Sequence, residues 1–367
     1  MKQLHIMLVS DQPIPNFMPL LLTKFKAEKV ALLTSKDKLL KSNILKKNIE
    51  KFSMVEIYKI LPYNLEQIRK QLSNIVNKYK SKYKIYLNLT GGTKIMTMAG
   101  FEICKTFNLN SYYINTYQKQ IIHLTPKYDI ETLPSNLINM TQYFNLYGYE
   151  VNKKSPSKPK NNHLNAINKI IAQPKLFSRA IKTLNFHASE SRNKQDLTFK
   201  VPTMTTAMKK LLSILKENNI LQQINRNVFK FTSFKNLEFC NGGWLEEYTL
   251  YTVSQINKIY DFAGTFKVKR ENTENEIDVA FCCDNKLFLI ECKTKTFRNH
   301  KSASTTEPIY KLDSLRQIMG GTFGQAMLIS FHQLSSSLLE RCNLLNIKTS
   351  YGNSLKNLKN IISDWIS

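Results

Sequence analysis

The first part of the chain alternates two patterns of apolar residues. Short β-branched runs predict strands, and the stretches between them have apolar residues at helical spacing. The predicted strands are His5–Ser10, Val30–Ser35, Val55–Ile60 and Lys84–Thr90, and the predicted helices are Phe17–Lys26, Lys38–Lys51 and Leu65–Tyr79. A hairpin of Ser111–Thr116 and Gln120–Thr125 is predicted to follow. This alternation predicts an α/β fold with a mostly parallel, doubly wound sheet.

Two loops of this region are candidate ligand sites, because doubly wound sheets bind ligands beyond the carboxyl ends of their strands. One loop follows the first strand, and the other joins the fourth strand to a helix predicted at Lys94–Phe107. Paired glycines allow a ligand to approach the backbone of the second loop closely. The N–H groups at the start of the following helix suit a phosphate. A plain tight turn with a threonine N-cap also fits. The candidate binding residues are Ser10, Asp11, Gln12 and Asn16 in the first loop and Thr90, Gly91, Gly92, Thr93 and Lys94 in the second.

The middle of the chain is predicted to contain a linker and a small module. Prolines and polar residues become frequent after residue 125, and residues 151–163 are predicted to be an exposed linker. In 164–235, helical patterns at Leu164–Ala172 and Thr203–Glu217 precede a short ribbon at Val228–Phe231, and together they resemble a winged helix. We interpret this module as a structural spacer. The alternative is a nucleic-acid contact through Lys209, Lys210 and Arg226.

In the last region, 236–367, two apolar runs flank the polar pair Asp284-Asn285, which is the pattern of a β-hairpin. A symmetric turn on this pair places residues opposite each other when their numbers sum to 569. Asp278 then lies opposite Glu291, and Glu276 lies opposite Lys293. Further predicted elements are the strands Phe266–Arg270 and Ala326–Phe331 and the helices Trp244–Tyr260, Tyr310–Met319 and Leu338–Asn346.

The facing carboxylates predict a metal site. Directly opposed side chains have Cβ atoms about 4.5–5.5 Å apart, so Asp278 and Glu291 repel each other unless a positive group lies between them. A hard divalent cation such as Mg²⁺ prefers oxygen ligands. Lys293 shares the face of Glu291, because residues two apart project from the same side of a strand. The alternative is a solvated hairpin face, but Leu289-Ile290-Glu291 has the pattern of a buried strand, where a charge needs a partner.

Composition narrows the class of protein. The 367 residues include 53 Lys or Arg and 27 Asp or Glu, a net charge of +26 that attracts polyanions, above all nucleic acid. A surplus of lysine that serves solubility is the alternative. The six cysteines form no CxxC pair, the N-terminus leads directly into the apolar run His5–Val9, and no run approaches the roughly 18 residues of a membrane span. We therefore expect a cytoplasmic protein with no membrane partner.

The hairpin resembles the PD-(D/E)xK nucleases. Asp278 is followed thirteen residues later by Glu291-Cys292-Lys293, although Ile277 stands in place of the proline. The resemblance implies that Asp278, Glu291 and the carbonyl of Cys292 coordinate Mg²⁺ or Mn²⁺, and that Lys293 orients water or stabilises charge. Two further glutamates complete the expected site. Glu276 assists, and a glutamate in Asn241–Tyr248 joins the acidic cluster; we choose Glu246 over Glu247. The polar segment Phe297–Pro308 is expected to be a mobile loop that grips the substrate through Arg298 and Lys301.

The N-terminal loops resemble those of the CARF domain (CRISPR-associated Rossmann fold). The resemblance rests on Thr90-Gly91-Gly92-Thr93-Lys94 after a strand and on Ser10–Asn16 after the first strand. It implies a homodimer that binds a cyclic oligoadenylate, with cyclic tetra-adenylate favoured. A CARF domain before a PD-(D/E)xK domain resembles the oligoadenylate-activated ancillary nucleases of type III CRISPR antiviral systems. We therefore expect a CARF domain at 1–150, the linker, the winged-helix-like spacer at 164–235 and a restriction-endonuclease-like domain at 236–367.

The expected activity is metal-dependent cleavage of nucleic acid, either single-stranded DNA or RNA, with nicking of duplex DNA left open. One alternative is a CARF-type transcription regulator that binds DNA through the winged helix and has an inactive C-terminal domain. The intact set Asp278, Glu291 and Lys293 argues against it. Another alternative is a stand-alone restriction-like or repair nuclease without a second messenger.

Overall fold

The computed structural model describes residues 2–152, 159–296 and 306–367. The chain forms two compact units. The first consists of Met1–Val151 and Ile318–Phe323, and the second consists of Asn152–Gln317 and Gly324–Ser367. Arg298 and Lys301 of the predicted substrate loop, and residues 153–158 of the predicted linker, lie outside the described residues.

The first unit contains the predicted doubly wound sheet. Its seven strands have the order β3-β2-β1-β4-β5-β6-β7. Strands β1 to β5 pair in parallel, and β6 and β7 add antiparallel pairs at one edge. The strands are β1 Lys2–Leu8, β2 Lys29–Thr34, β3 Met54–Lys59, β4 Tyr83–Asn88, β5 Asn110–Asn115, β6 Gln120–Thr125 and β7 Asp129–Thr132. Because β1 lies between β2 and β4, the loops after β1 and β4 leave the sheet side by side at its switch point.

The helices of the first unit are α1 Ile14–Phe17, α2 Leu39–Ile49, α3 Leu65–Tyr79, α4 Lys94–Thr106 and α5 Met140–Leu146. The helix predicted over Phe17–Lys26 is wrong. That segment instead forms two 3₁₀ turns, Met18–Leu21 and Thr23–Phe25, which are separated by the extended residue Leu22. Pro19 has no N–H to donate within a longer helix, and the turns still bury Phe25.

The second unit contains two sheets. A three-stranded sheet has the order β10-β11-β9, and a six-stranded sheet has the order β16-β15-β14-β13-β12-β8. The strands are β8 Glu150–Asn152, of which only Asn152 belongs to this unit, β9 Thr198–Lys200, β10 Leu221–Asn225, β11 Val228–Phe231, β12 Asp261–Arg270, β13 Thr273–Cys283, β14 Lys286–Lys293, β15 Gly324–Ser330 and β16 Ile347–Tyr351.

The helices that follow are α6 Asn161–Ile171, α7 Pro174–Lys194, α8 Thr206–Glu217, α9 Phe234–Glu238, α10 Trp244–Ser254, α11 Glu307–Gly320, α12 Ser336–Leu344 and α13 Leu358–Trp365. Helix α8 and the β10–β11 ribbon have the expected winged-helix order. Strand β8 and helix α6 occupy both ends of the predicted linker. Helix α10 ends at Ser254, six residues before the predicted end, and α11 begins at Glu307, within the predicted loop.

One hydrophobic core joins the middle module to the C-terminal region. The same cluster includes Ile167 and Phe177 of the module and Trp244, Phe281 and Ile329 of the C-terminal region. The predicted boundary at residue 235 therefore does not separate two cores. Within the described residues, no helix is both long and apolar enough to cross a membrane.

Candidate active site and ligand pocket

The hairpin of β13 and β14 has the register that the sequence predicts. Asp284 and Asn285 both have positive φ, 50° and 60°, as a two-residue type I′ turn requires. The pairs run from Cys283 with Lys286 to Val279 with Ile290, and each pair of numbers sums to 569. Asp278 and Glu291 occupy the next positions of this register.

The two predicted acids are close at the end of the hairpin. The backbone N–H of Cys292 donates a hydrogen bond to Oδ2 of Asp278 at 2.7 Å. Glu291 is only 8% exposed, and its carboxylate forms an ion pair with the ammonium of Lys293. The predicted acids and the lysine therefore meet at one edge of the hairpin, and one oxygen of Asp278 is not used by the Cys292 N–H.

Burial and like charges make this cluster sensitive to protonation. Burial, followed by the charges of Glu291 and Glu246, raises the pKa of Asp278 from 3.8 to about 8. Burial also raises the pKa of Glu246, with Glu276 adding to the effect and a hydrogen bond from Thr265 opposing it. For Lys293, burial lowers the pKa, but the charges of Glu291 and Asp278 outweigh it and the pKa is raised. Lys293 is therefore held as a cation.

The two glutamates of α10, Glu246 and Glu247, have different partners. Glu246 accepts a hydrogen bond from the Thr265 hydroxyl at 2.7 Å and is electrostatically coupled to Asp278. Glu247 instead lies 2.8 Å from Nδ1 of His163 in α6. Of the two, Glu246 is the glutamate whose charge acts on Asp278. Glu276, in contrast, is exposed and does not belong to the buried group.

Residue Thr294, directly after Lys293, anchors the end of β14. Its backbone oxygen accepts from the Asn185 amide at 3.0 Å and lies 2.9 Å from Nε2 of His332. Gly242 has φ of 125°, and a Cβ there would lie 2.7 Å from the Thr294 hydroxyl. The glycine of the Asn241–Tyr248 motif therefore permits the chain to pack against this anchor. Sequence reasoning missed Asn185 and His332, because neither residue stands in a recognisable motif.

The donor set fits a hard cation. Two carboxylates and the Cys292 carbonyl supply oxygen ligands, and a cation would relieve the repulsion between buried acids. Among the described residues, no group of three or more His, Cys, Asp or Glu side chains is placed to hold a metal ion. The predicted set contains only two such side chains, Asp278 and Glu291, with a backbone oxygen as the third ligand.

The first unit contains a cavity of about 260 Å³ at the predicted switch point. Of the predicted binding residues, Ser10, Gln12, Asn16, Thr90 and Gly91 line it. A Cβ at Gly91 would overlap the Leu8 carbonyl oxygen, so this position requires glycine. The lining residues that the sequence analysis missed are Pro15, Tyr113, Ile114, Asn115, Thr116, Tyr117 and Phe323.

Four predicted binding residues do not line the cavity. Asp11 forms ion pairs with Lys38 and Lys41. Thr93 caps α4, where it accepts from the Met96 N–H at 3.3 Å, and it donates to the Pro62 carbonyl at 2.7 Å. This cap is the alternative that the sequence analysis left open. The remaining two, Gly92 and Lys94, are also outside the lining, and Lys94 is exposed.

The segment Ile318–Phe323 belongs to the first unit although it is distant in sequence. The backbone N–H of Thr322 donates to Oε1 of Gln12 at 3.3 Å, and the Tyr147 hydroxyl donates to the same oxygen at 2.9 Å. Gly321 has φ of 55°, and a Cβ there would overlap the Gln12 side chain. Gln12 therefore connects the cavity wall to a segment that leads directly into β15.

The chain thus consists of a Rossmann-type α/β region followed by a region that contains the acidic hairpin. Comparison with protein families makes this specific. Residues 4–143 match the Card1 CARF domain, and residues 235–367 match the Card1-like endonuclease domain. The chain therefore belongs to the Card1-like CARF endonucleases. This result confirms the predicted family and favours the nuclease over a transcription regulator.

Solved structures share the fold over most or all of this chain. Protein VC1899 from Vibrio cholerae is 22% identical, with a TM-score of 0.90, and the match covers 99% of this chain and 98% of that one. Can2 from Sulfobacillus thermosulfidooxidans, solved with cyclic tetra-adenylate, is 24% identical, with a TM-score of 0.85 and coverage of 100% and 99%. A type III CRISPR defence DNA nuclease activated by cyclic oligoadenylate is 16% identical, with a TM-score of 0.55 and coverage of 90% and 45%. No curated protein sequence gave a match.

Proposed function

We propose that the C-terminal domain is a PD-(D/E)xK nuclease that hydrolyses phosphodiester bonds with Mg²⁺ or Mn²⁺. The observation that carries the proposal is the meeting of Asp278, Glu291 and Lys293 at the end of one hairpin, with Glu246 coupled to them. Buried acids beside a retained cation are unfavourable as a purely structural arrangement, because each charge has lost its water.

Asp278, Glu291 and the carbonyl of Cys292 would hold the ion. When bound, it would lower the pKa of an attacking water and offset charge on the phosphate. The chain's own residues supply the rest. Lys293, whose pKa is raised, stays an ammonium at neutral pH, so it orients water or stabilises developing charge instead of removing a proton. Glu246 and the exposed Glu276 assist at the edge of the cluster.

The second part of the proposal is regulation by cyclic tetra-adenylate bound to the CARF domain. The cavity lies at the switch point of a doubly wound sheet and has polar groups from Ser10, Gln12 and Thr90. Its volume of about 260 Å³ is smaller than a cyclic tetranucleotide needs, so one protomer would contact only part of the ring. A homodimer that binds the ring across a two-fold axis meets this requirement.

The remaining elements of the proposal are the substrate and the setting. We assign single-stranded DNA or RNA as substrate, with duplex nicking as a further activity, in type III CRISPR antiviral defence in the cytoplasm. The net charge of +26 supports a polyanionic substrate. The alternative is a stand-alone nuclease, which would not require the cavity at Gln12 and Thr90. A binding measurement with cyclic tetra-adenylate distinguishes the two functions.

Cleavage by site variants tests the catalytic part. Glu291→Gln and Lys293→Ala should each lower the cleavage rate by at least about 10²-fold with Mg²⁺ and activator present, while circular dichroism stays unchanged. Glu274→Gln and Lys269→Ala are matched controls, because both residues are exposed on the neighbouring strands, and they should cleave at the wild-type rate. Undiminished cleavage by the two site variants would refute the site assignment.

A further inference from the structure

The middle module carries an unusual share of the positive charge. Residues 160–235 contain fourteen Lys or Arg and three Asp or Glu, so this fifth of the chain holds +11 of the net +26. The module packs on the C-terminal region through a shared hydrophobic core. This packing does not require the excess of positive charge. Charge concentrated in one module indicates a polyanionic partner.

The module also has a groove of about 490 Å³ between α8 and the β10–β11 ribbon. Lys209 and Lys216 project into it from one face of α8, seven residues apart, and Arg226 approaches from the turn of the ribbon. Met204 and Phe229 form part of its apolar lining. Basic groups around an apolar floor match a nucleic-acid strand, which presents phosphates beside sugars and bases.

The cations of the groove are available to a ligand. Within 2–152, 159–296 and 306–367, no carboxylate forms an ion pair with Lys209 or Arg226. Lys216 donates to Oε1 of Gln223 at 2.7 Å, which ties α8 to the ribbon without cancelling the charge. Lys210, which the sequence analysis grouped with Lys209, instead donates to Gln173 at 3.0 Å and does not line the groove.

Buried contacts fix the module to the nuclease region of the same unit. His163 of α6 lies 2.8 Å from the Glu247 carboxylate, and Asn185 of α7 donates to Thr294 next to Lys293. These contacts are within or next to the elements that carry Glu246 and Lys293. The groove is therefore held at a fixed position relative to the candidate active site.

We propose that the groove between α8 and the β10–β11 ribbon binds the sugar–phosphate backbone of the nucleic acid that the nuclease cleaves. The site rests on the proposed nuclease function for the identity of its ligand. Helix α8 occupies the place of the recognition helix in a winged helix, and Lys209, Lys216 and Arg226 contact phosphates. Because these contacts are made to the backbone, they increase affinity for all sequences alike.

Binding without cleavage tests the groove independently of catalysis. The probe is fluorescein-labelled single-stranded DNA of about 30 nucleotides, longer than the roughly 4–16 nucleotides that one domain covers, and RNA of the same sequence. Affinity is measured by anisotropy in EDTA at several salt concentrations with the full-length chain. The variant is Lys209→Ala/Arg226→Ala. The control, Lys175→Ala/Arg179→Ala, removes the same charges from α7 outside the groove.

We expect the groove variant to bind about 10–30-fold more weakly at 0.1 M salt and to lose about 1.4 from the salt slope, since each phosphate contact on a single strand contributes about 0.7. The control should change affinity less than about threefold. In cleavage assays the groove variant should raise KM with kcat unchanged.

Equal losses of affinity in the groove variant and the control, or no loss in either, would overturn the groove. Should the alanine pair unfold, Lys209→Gln/Arg226→Gln gives the same comparison. If the wild-type protein binds the probe but does not cleave it, the catalytic proposal fails, and the binding comparison in EDTA still supports or overturns the groove.

Discussion

The backbone N–H of Cys292 donates a 2.7 Å hydrogen bond to the Asp278 carboxylate, which joins β13 and β14 at the predicted metal site. The bond fixes one oxygen of Asp278 toward β14. It also keeps the acid beside Glu291, although the two carboxylates repel each other. Repulsion between these carboxylates destabilises the metal-free folded state, and a bound cation would relieve it.

The first prediction concerns the stability of the metal-free protein. The folded state raises the pKa of Asp278 from 3.8 to about 8, so between these values it holds a proton that the unfolded chain has released. Stability should therefore fall as pH rises from about 4 to about 8. Asp278→Asn should unfold at a higher temperature than wild type at pH 8 in EDTA and show a weaker pH dependence. Asp364→Asn, an exposed control, should follow the wild type. Identical pH profiles for Asp278→Asn and wild type would contradict this.

The second prediction concerns metal binding. The proton on Asp278 must leave before its oxygens can hold a cation, so affinity for Mg²⁺ or Mn²⁺ should increase from pH 6 to pH 8. The shift of the unfolding midpoint on adding Mn²⁺ should accordingly grow with pH, and it should be absent in Glu291→Gln. If neither Mg²⁺ nor Mn²⁺ shifts the unfolding midpoint of the wild-type protein, the proposed metal site is wrong.

The third prediction separates neighbouring glutamates of α10. Glu246→Gln should lower cleavage by about 10²-fold, since the charge of Glu246 acts on Asp278 and the charge of Glu291 acts on Glu246. Glu247→Gln is the matched control, because an amide can keep the contact with His163 and Glu247 does not face the cluster. The measurement is the cleavage rate at saturating substrate and metal. Equal rates for the two variants would show that neither glutamate is specific to the site.

The fold could be predicted from the sequence where each element has a local pattern. The strands β1 to β6, α3 and the hairpin at Asp284 were predictable, because apolar runs and turn residues specify them without distant contacts. Helix α7 was missed, because its apolar face is interrupted by polar residues and is completed only by packing on the shared core.

In the candidate sites too, the residues set by local sequence patterns were predictable and those set by distant contacts were not. The acids and lysine of the hairpin were predictable because a two-residue turn fixes their register. Phe323 in the cavity wall and Asn185 at Thr294 were not, since each comes from a part of the chain far from the residues it meets. Thr93 and Asp11 were assigned to ligand binding, but local contacts use their side chains as a helix cap and an ion pair.

The fourth prediction concerns the segment that reaches Gln12. Gly321→Ala adds a Cβ that overlaps the Gln12 side chain at a residue with φ of 55°, so the cavity wall must shift. Affinity for cyclic tetra-adenylate should fall by about tenfold, which corresponds to about 1.4 kcal/mol. Gly320→Ala is the matched control, because no atom lies within 4 Å of its added Cβ. Calorimetric titration measures both, and equal affinities would show that this contact does not shape the ligand site.

The central claim is that a ligand of the CARF domain controls metal-dependent cleavage by the hairpin acids. The most direct measurement is the cleavage rate of labelled single-stranded DNA and RNA and of supercoiled plasmid by wild-type protein, with and without cyclic tetra-adenylate, in Mg²⁺, Mn²⁺ or EDTA. We predict cleavage of at least one substrate only when activator and metal are both present. Equal rates without the activator, or undiminished cleavage in EDTA, would contradict the account.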